Sequence, residues 1–450
     1  MPTVISLANL GSEIGDRVSA VGSVCRTGLR GLSSGRRAIK RQLQMLDARF
    51  HRSLSEAQFI AVTGSSGKTT TVCLLAHILA EKEQTFHQFL GNGIQDTTKT
   101  LREVERSDKF VVLETGTAKP GQLAQQADLI KPDVAVVTLV ALEHYSAFRT
   151  AEAVADEKSQ LIQALSTQGI AVLNFDNPWV RAMATEVKGT AVGFGIESGD
   201  YRISDIGLTR GGELFLTVHP PGKPGFSITT RLLGTYNWLA VAAAVTCAME
   251  LGIAPDSIRN RVASFTPVHG RMSVYPIPGG PKFILDTAKA PWFSLTLPFG
   301  VVSEIDAPRR RIIIGHISDY AGNPKSKYRR AYEAAREVAD QVLFVGPHAH
   351  RVRGSDEDIA QEKFRAFASV EACAAYVRET AMENEVILIK SSLNLHLERI
   401  WLHCSDGVRC WPLECGLTSR ACLNCSYRTP FSDHRKVPPF NSRRRSRGLI

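Results

Sequence analysis

The sequence predicts an α/β protein: a central P-loop domain built on a mainly parallel sheet, followed by a second doubly wound, Rossmann-like C-terminal domain. Three observations predict this fold class. Strand-like and helix-like segments alternate from residue 58 to about residue 175, and a second alternation runs from about residue 280 to 390. The first apolar run also ends in a glycine-rich turn that contains Lys68, which is typical of a strand leading into a phosphate-binding loop.

The first alternation defines the central domain. It predicts, in order, strand 59–62, helix 68–81, strand 110–113, helix 120–128, strand 134–140, helix 151–166 and strand 170–173. Glycine and proline turn signals in 190–232 predict an antiparallel insertion, and a helix follows at 236–251. The second alternation predicts strands at 283–286, 311–315, 342–345 and 386–389, with helices at 327–339 and 369–380.

The 450 residues are too many for one ordinary core and predict several domains. Proline and glycine punctuate the chain at 266–270, so we place the boundary between the two domains there. The predicted units are a basic N-terminal arm (1–57), the central domain (58–268), the C-terminal domain (269–400) and a Cys-rich basic tail (401–450).

The net charge of +10 resides at the two ends of the chain. Residues 1–57 contain nine Lys and Arg against four acidic residues, and residues 401–450 contain nine against three. Such ends could contact nucleic acid, an anionic membrane or an anionic protein, or could simply be solvated. The sequence contains neither an apolar run of bilayer length nor the pattern of a signal peptide, so we expect a cytoplasmic protein without a transmembrane segment.

The stretch 61–71 predicts an ATP-binding loop. Backbone N–H groups in a glycine-rich turn, the positive end of a helix and the Lys68 ammonium favour a polyanion, and the Thr69 hydroxyl can bind Mg²⁺. Val62 stands where the general P-loop pattern has its first glycine, but the order of strand, turn and helix is retained. The predicted nucleotide-binding residues of the loop are Gly64, Ser65, Ser66, Gly67, Lys68, Thr69 and Thr70.

Two further residues follow predicted strands. Glu114 comes directly after 110–113, and His144 comes shortly after 134–140. Because the carboxyl ends of parallel strands meet at the edge of the sheet where ligands bind, Glu114 could bind Mg²⁺ opposite Thr69, with His144 nearby. Lys158 lies on the predicted helix 151–166 and, judged by itself, is an ordinary solvated lysine.

The order of these motifs resembles the Mur ligase superfamily, the ATP-dependent amide ligases that include muramoyl-peptide ligases, folylpolyglutamate synthase, cyanophycin synthetase and the ligases that make poly-γ-glutamate. The resemblance extends from about residue 58 to 400. The matching segments are 63–69, 114–116, 120–121, 138–144, 152–158, 172–178, 234–237, 270–272, 286–291 and 387–392.

The resemblance implies γ-phosphoryl transfer from ATP to a substrate carboxylate, attack of an amine on the acyl phosphate, and release of an amide, ADP and phosphate. The implied partners are therefore small-molecule or peptide carboxylates and amines. The resemblance implies that Lys68 binds phosphate and that Thr69 and Glu114 bind one Mg²⁺. It implies a second Mg²⁺ bound by His144 and by a carbamate on Lys158. It also implies that Asn237 recognises adenine, that Arg271 contacts phosphate, and that Asp286 lies near the nucleotide or the amine.

The chain also departs from the superfamily. Tyr236 precedes Asn237 where a histidine is common, Lys289 occurs in an unusual position, and Lys390 is followed by Ser-Ser. These departures leave the substrates open. A different hypothesis is a non-ligating ATP-binding module that the basic ends and the tail recruit to a partner or nucleic acid, and a third is a small-molecule kinase; the joint presence of the implied site residues favours the ligase.

The two ends lie outside the resemblance. Cys410, Cys415, Cys422 and Cys425 are spaced closely enough to hold a structural Zn²⁺, with Cys404, His403 and His434 as further candidates. Unpaired thiols in a disordered tail and redox chemistry are the alternatives. Muramoyl-peptide ligases normally begin with a uridine-nucleotide domain, for which 57 residues are too few, so we expect that domain to be lacking and the chain to be nearer to the poly-γ-glutamate type.

Overall fold

The computed structural model describes residues 39–143, 145, 147–405, 407–412, 421–425 and 443–446. Three residues named above, His144, Cys415 and His434, lie outside these ranges. Within the described ranges no helix is both long and apolar enough to cross a membrane.

The helices and strands follow the predicted alternation, with several elements added. In chain order they are α1 (39–54), β1 (Gln58–Thr63), α2 (Lys68–Leu79), β2 (Thr85–Gln88), α3 (Ile94–Leu101), β3 (Phe110–Glu114), α4 (Gln122–Ile130), β4 (Val134–Val137), α5 (Ala151–Gln163), β5 (Ile170–Asn174), α6 (Pro178–Ala182), β6 (Thr190–Gly195), β7 (Tyr201–Leu208), β8 (Glu213–His219), β9 (Phe226–Leu233), α7 (Trp238–Glu250), α8 (Pro255–Ser264), β10 (Ser273–Pro276), β11 (Lys282–Asp286), α9 (Leu297–Glu304), β12 (Arg310–Ile314), α10 (Pro324–Arg336), β13 (Gln341–Val345), α11 (Asp356–Ala360), β14 (Phe364–Phe367), α12 (Val370–Thr380), β15 (Val386–Lys390), α13 (Glu398–Ser405) and β16 (Arg443–Ser446).

The central domain is built on one sheet with the strand order β16-β2-β3-β1-β4-β5-β6-β7-β8-β9. Pairing is parallel from β2 to β7 and antiparallel at both edges, so β7, β8 and β9 extend the main sheet instead of forming a separate insertion. Alternate residues of β1 enter different cores: Ile60 and Val62 pack with α2 and α7, whereas Ala61 packs on the opposite face. This burial on both faces is the expected property of a parallel sheet.

The C-terminal domain repeats this construction on a smaller sheet. Its strand order is β10-β11-β15-β12-β13-β14, and all pairs except β10 with β11 are parallel. Ile284 and Ile312 point into one core, and their neighbours Leu285 and Ile313 point into the core on the other face. The doubly wound α/β class predicted from the sequence is therefore confirmed for both domains.

The described part of the N-terminal segment is a helix that packs on the central domain. Ala48 of α1 is fully buried. Arg52 donates hydrogen bonds to the carbonyl oxygens of Ile130 (2.6 Å) and Lys131 (2.9 Å), and its guanidinium lies 3.9 Å from the ring centroid of Phe59. These contacts satisfy carbonyl groups at the C-terminal end of α4, where a cation is favoured.

Candidate active site

A cleft between the two domains contains most of the predicted site residues. It encloses about 890 Å³, counting space open to solvent, and both domains contribute to its walls. Its charged lining residues are Lys68, Glu114, Arg271, Asp286, Lys289 and Lys390.

The glycine-rich loop is fixed against the segment that follows β4. The backbone N–H of Ser65 donates to the Leu139 carbonyl (2.7 Å), and the Ser65 hydroxyl lies 3.0 Å from both the backbone oxygen and the backbone nitrogen of Ala141. Gly64 has φ +145°, and a Cβ at this position would lie only 2.0 Å from Thr138 Oγ1. The loop therefore requires glycine for both its backbone conformation and its close packing.

Lys68 and Thr69 occupy the first turn of α2, which begins after the left-handed Gly67. Lys68 Nζ donates to the Gly64 carbonyl across the loop. Thr69 Oγ1 donates to Glu114 Oε2 (2.8 Å), and the same carboxylate oxygen accepts the Leu90 N–H (2.9 Å). The register of β1 and β3, in which Val62 pairs with Glu114, brings these two residues to one edge of the sheet as predicted.

Glu114 is buried, yet it is held in its charged form. Burial alone would raise the pKa of this carboxyl, but Lys68, Lys289 and Arg271 together with the Leu90 N–H outweigh burial and lower the pKa below its ordinary value. An ionised carboxylate 2.8 Å from a threonine hydroxyl offers two hard oxygen donors, which is the donor type that Mg²⁺ prefers.

Lys158 is not the solvated lysine that its sequence context alone indicated. Its side chain is 1 % exposed, and its ammonium lies 2.7 Å from Glu143 Oε1. Burial lowers the pKa of Lys158, the nearby Lys68 lowers it further, and Glu143 opposes the shift. The neutral amine is thus more accessible at Lys158 than at an exposed lysine.

The junction of the domains places Arg271 at the phosphate-binding loop. Gly270 and Met272 both have positive φ angles, +74° and +51°, so the backbone turns sharply on each side of this arginine. Its Nη2 lies 3.5 Å from Thr69 Oγ1. A residue of the junction therefore reaches across to the central domain.

The C-terminal domain contributes a second charged group at the ends of two paired strands. Asp286 ends β11 and Lys390 ends β15 in the same register. Lys390 Nζ lies 2.6 Å from Asp286 Oδ2 and 2.9 Å from the Lys289 carbonyl. Lys390 stands within a matching segment of the sequence, but its partnership with Asp286 could not be derived from that.

Lys289 lines the cleft, although the site predicted from the sequence does not include it. Desolvation by the cleft walls, followed by repulsion from Lys68, lowers the pKa of Lys289 to about 8, while Glu114 acts in the opposite direction. The side chain remains solvent-exposed, so water screens part of these charge interactions. The signal in the sequence was a lysine that departs from the superfamily pattern three residues after the end of β11.

Asn237, for which the resemblance implies adenine recognition, lines the cleft beside Tyr236. Its Nδ2 donates to the Leu233 carbonyl (2.7 Å), which fixes the side-chain amide. Leu239 lies on the same wall, and Phe293, which sequence reasoning did not identify, comes from the C-terminal domain. Apolar side chains around a fixed amide suit a flat, hydrogen-bonding ring.

The fold and the cleft define a two-domain enzyme of the nucleotide-dependent class. Residues 62–248 match the family described as the Mur ligase middle domain. The UDP-N-acetylmuramoyl-tripeptide--D-alanyl-D-alanine ligase of Escherichia coli K12 is 26% identical over 352 residues, covering 76% of this chain and 76% of that protein. The corresponding ligase of Haemophilus influenzae is 24% identical over 375 residues, covering 81% and 80%.

Solved structures agree with the sequence matches. A crystal structure of MurF from Acinetobacter baumannii has a TM-score of 0.73 at 21% identity and covers 81% of this chain and 79% of that one. MurF ligase from Thermotoga maritima in complex with ADP has a TM-score of 0.71 at 22% identity, covering 81% and 83%. Residues 62–248 thus resemble the Mur ligase middle domain, and over about four fifths of its length the chain has the fold of these ligases.

Proposed function

We propose that this protein is an ATP-dependent ligase that joins a carboxylate to an amine as an amide, through an acyl phosphate, with release of ADP and phosphate. One observation carries the proposal: a single cleft combines the loop residues Lys68 and Thr69 and the carboxylate Glu114 of one domain with Arg271, Asp286 and Lys390 from the junction and the second domain. The relatives named above support the ligase over the non-ligating module.

The charge of the cleft suits a phosphorylated ligand. Its charged lining comprises four cations and two anions, an excess of two positive charges. Lys68 and Arg271 reach the phosphate-binding loop, where they would neutralise the phosphates and stabilise the charge that develops during phosphoryl transfer. Most of the catalysis would then come from positioning and charge neutralisation.

The residues beside the loop fit a divalent cation. Thr69 Oγ1 and Glu114 Oε2 would hold Mg²⁺, since both are oxygen donors and Glu114 is kept ionised. When bound, Mg²⁺ would draw negative charge from the phosphate oxygens. The 2.8 Å hydrogen bond from the Thr69 hydroxyl to Glu114 holds the two oxygen donors side by side.

Lys158 would carry the carbamate that the superfamily resemblance implies. Its lowered pKa favours the neutral amine, which is the form that reacts with CO₂. A carbamate would bring a negative charge beside Glu143, which now pairs with the ammonium at 2.7 Å. Carbamylation therefore requires either movement of Glu143 or a cation between the two groups. His144, the residue next to Glu143, stays a predicted ligand for that cation.

The second domain would supply the amine side of the reaction. Asp286 stands on the wall opposite the loop and is fixed by Lys390, so its carboxylate is positioned to attract a cationic amine. Closing the cleft would also exclude water, which competes with the amine for an acyl phosphate.

The proposal is tested by phosphate release from ATP and Mg²⁺ in the presence of carboxylates and amines, singly and in pairs. The first pair to test is a UDP-N-acetylmuramoyl-tripeptide with D-alanyl-D-alanine, because both occur in the name of the E. coli relative. Pools of amino acids and short peptides follow, with Lys68→Met as the inactive control. Phosphate release that requires both substrates, with a new amide in the mass spectrum, supports ligation. Formation of ADP with one acceptor alone, together with a phosphorylated product and without free phosphate or amide, identifies a kinase instead.

A further inference from the structure

The Cys-rich tail meets the C-terminal domain at a small polar cluster outside the cleft. His396, Glu398 and Cys422 each offer one ligand atom, and these three atoms lie within 4.8 Å of one another. His396 is 3 % exposed and Glu398 is 0 % exposed. Cys422 comes from the tail, so the cluster joins two parts of the chain that are 24 residues apart.

Glu398 holds the cluster together through one of its oxygens. Its Oε1 accepts the backbone N–H of Cys422 (3.0 Å) and lies 3.3 Å from His396 Nδ1. The other carboxylate oxygen, Oε2, and the second ring nitrogen of His396, Nε2, are buried without a hydrogen-bond partner among the described residues. A bound ion is one way in which buried polar atoms of this kind become satisfied.

We propose that this cluster is a zinc site that fastens the tail to the C-terminal domain. A nitrogen, a sulfur and a carboxylate oxygen form a mixed donor set that Zn²⁺ accepts, whereas Mg²⁺ avoids sulfur and nitrogen. Tetrahedral Zn²⁺ with ligand bonds of about 2.0–2.3 Å places its ligand atoms about 3.3–3.8 Å apart. The cluster therefore needs to contract by about 1.5 Å at most to close around the ion.

We assign Cys425 as the fourth ligand, although its sulfur lies outside the group of three atoms and has to turn toward the ion. It follows Cys422 by three positions, across a 3-10 turn in which the Cys425 N–H donates to the Cys422 carbonyl (3.1 Å). A Cys-x-x-Cys pair at such a turn commonly supplies two thiolates to one ion. The site thus retains Cys422 and Cys425 of the predicted set and takes its other two ligands from the domain in place of Cys410 and Cys415.

The neighbouring contacts give the site a structural role. Arg399, next to Glu398, donates to the carbonyl oxygens of Cys410 (3.0 Å) and Pro412 (3.3 Å), so the tail is already attached at a second point. The segment that carries His396 begins at the end of β15, directly after the cleft residue Lys390. A metal here would hold the tail against the base of that segment without entering the cleft.

The test measures metal in the full chain after purification with added zinc and removal of loosely bound metal by gel filtration. Elemental analysis is expected to give about one zinc per chain. Replacement by Co²⁺ is expected to give an intense thiolate charge-transfer absorption in the near ultraviolet, together with the visible bands of tetrahedral Co²⁺. Cys422→Ser and His396→Gln should each weaken Co²⁺ binding by at least tenfold, whereas Cys247→Ser, a buried cysteine of α7 in the other domain, should bind as the parent does.

ADP binding, reported by the remote cleft, verifies that each variant is folded. If a cysteine variant does not fold, the proposal is tested on the parent protein by itself. Chelator should lower the melting temperature of the parent, and Zn²⁺ but not Mg²⁺ should restore it. Failure of the zinc-loaded parent to retain metal, absence of the thiolate band, or unchanged Co²⁺ affinity in folded Cys422→Ser would overturn the proposal and leave the cluster as a hydrogen-bonded contact. These results do not depend on whether the protein is a ligase, because none of them measures turnover.

Discussion

Substituting Gly64 by alanine should weaken nucleotide binding while the protein still folds. Two independent penalties arise at this position. The backbone has φ +145°, which a residue with a Cβ adopts at a cost of about 1–3 kcal/mol. The added Cβ would also lie 2.0 Å from Thr138 Oγ1 and 3.0 Å from the Leu139 nitrogen. Because real Cβ atoms stay beyond 3.0 Å from such neighbours, the loop or Thr138 has to move by about 1 Å.

That displacement acts on the binding residues directly. Thr138 Oγ1 donates to the Ser66 carbonyl (2.5 Å), and Lys68 Nζ donates to the Gly64 carbonyl, so a shift at Gly64 moves both the loop backbone and the lysine. A misplacement of about 1 Å typically costs about 100-fold in turnover. We expect Gly64→Ala to bind ADP about 10- to 100-fold more weakly, equivalent to about 1.4–2.7 kcal/mol, and to lose at least about 100-fold in ATP turnover.

Isothermal titration with ADP and Mg²⁺ measures this loss. Gly222→Ala is the matched control, since Gly222 also has a positive φ (+64°), but a Cβ added there would meet no atom within 4 Å, and the residue lies in the distant β8–β9 turn. Adding Thr138→Ala to Gly64→Ala removes the Oγ1 overlap and should recover part of the affinity. ADP affinity of Gly64→Ala within twofold of the parent would refute the close-packed loop geometry.

Three further outcomes are expected. Lys158→Ala should reduce turnover by at least about 100-fold while ADP binding stays measurable. Lys158→Arg keeps the charge but cannot form a carbamate, so it should be equally inactive even with added bicarbonate. Activity in either variant contradicts the carbamate. Glu143→Ala leaves the buried Lys158 ammonium unpaired and should destabilise the central domain by about 3 kcal/mol in urea unfolding, and adding Lys158→Met should restore most of that loss. Lys289, with its pKa near 8, is cationic at pH 7 and becomes neutral as the pH rises, so the KM for ATP should increase between pH 7 and 9. Lys289→Met should raise the KM about fivefold at pH 7 and remove that part of the pH dependence. An unchanged pH profile of the KM in this variant would place Lys289 away from the ligand.

The sequence predicted the parts of the site that follow from the order of strands. Glu114 could be assigned because the ends of neighbouring parallel strands meet at one edge of a sheet, and the pairing of Val62 with Glu114 realises this. Lys68 and Thr69 were predicted to bind phosphate and Mg²⁺ because a strand, a pair of glycines and a helix surround them in that order. The sequence pattern was therefore sufficient to place residues whose positions depend on nearby residues or on the pairing of parallel strands.

Contacts between distant segments could not be predicted in this way. The burial of Lys158 depends on Glu143, which lies on a loop, and the pattern of α5 gives no sign of it. The edge-side strand β2 was missed because Thr85, His87 and Gln88 are polar, although all are buried in the fold. The partnership of Lys390 with Asp286 spans 104 residues and follows only from the order of strands in the second sheet.

The donor chemistry of the chain separates the two proposed cation sites by ligand type. Thr69 and Glu114 offer only oxygen and lie in a cleft with an excess of positive charge, so a cation binds there most favourably together with the anionic phosphates. His396, Glu398 and Cys422 combine nitrogen, oxygen and sulfur in a site that needs no nucleotide. Turnover should consequently depend on Mg²⁺ and respond little to brief chelation of tightly held zinc, whereas the attachment of the tail should depend on zinc and be indifferent to ATP. Removing Mg²⁺ should therefore affect the cleft, and removing zinc should affect the tail. The reason is that the type of ligand, hard oxygen or softer sulfur and nitrogen, selects the metal at each proposed site.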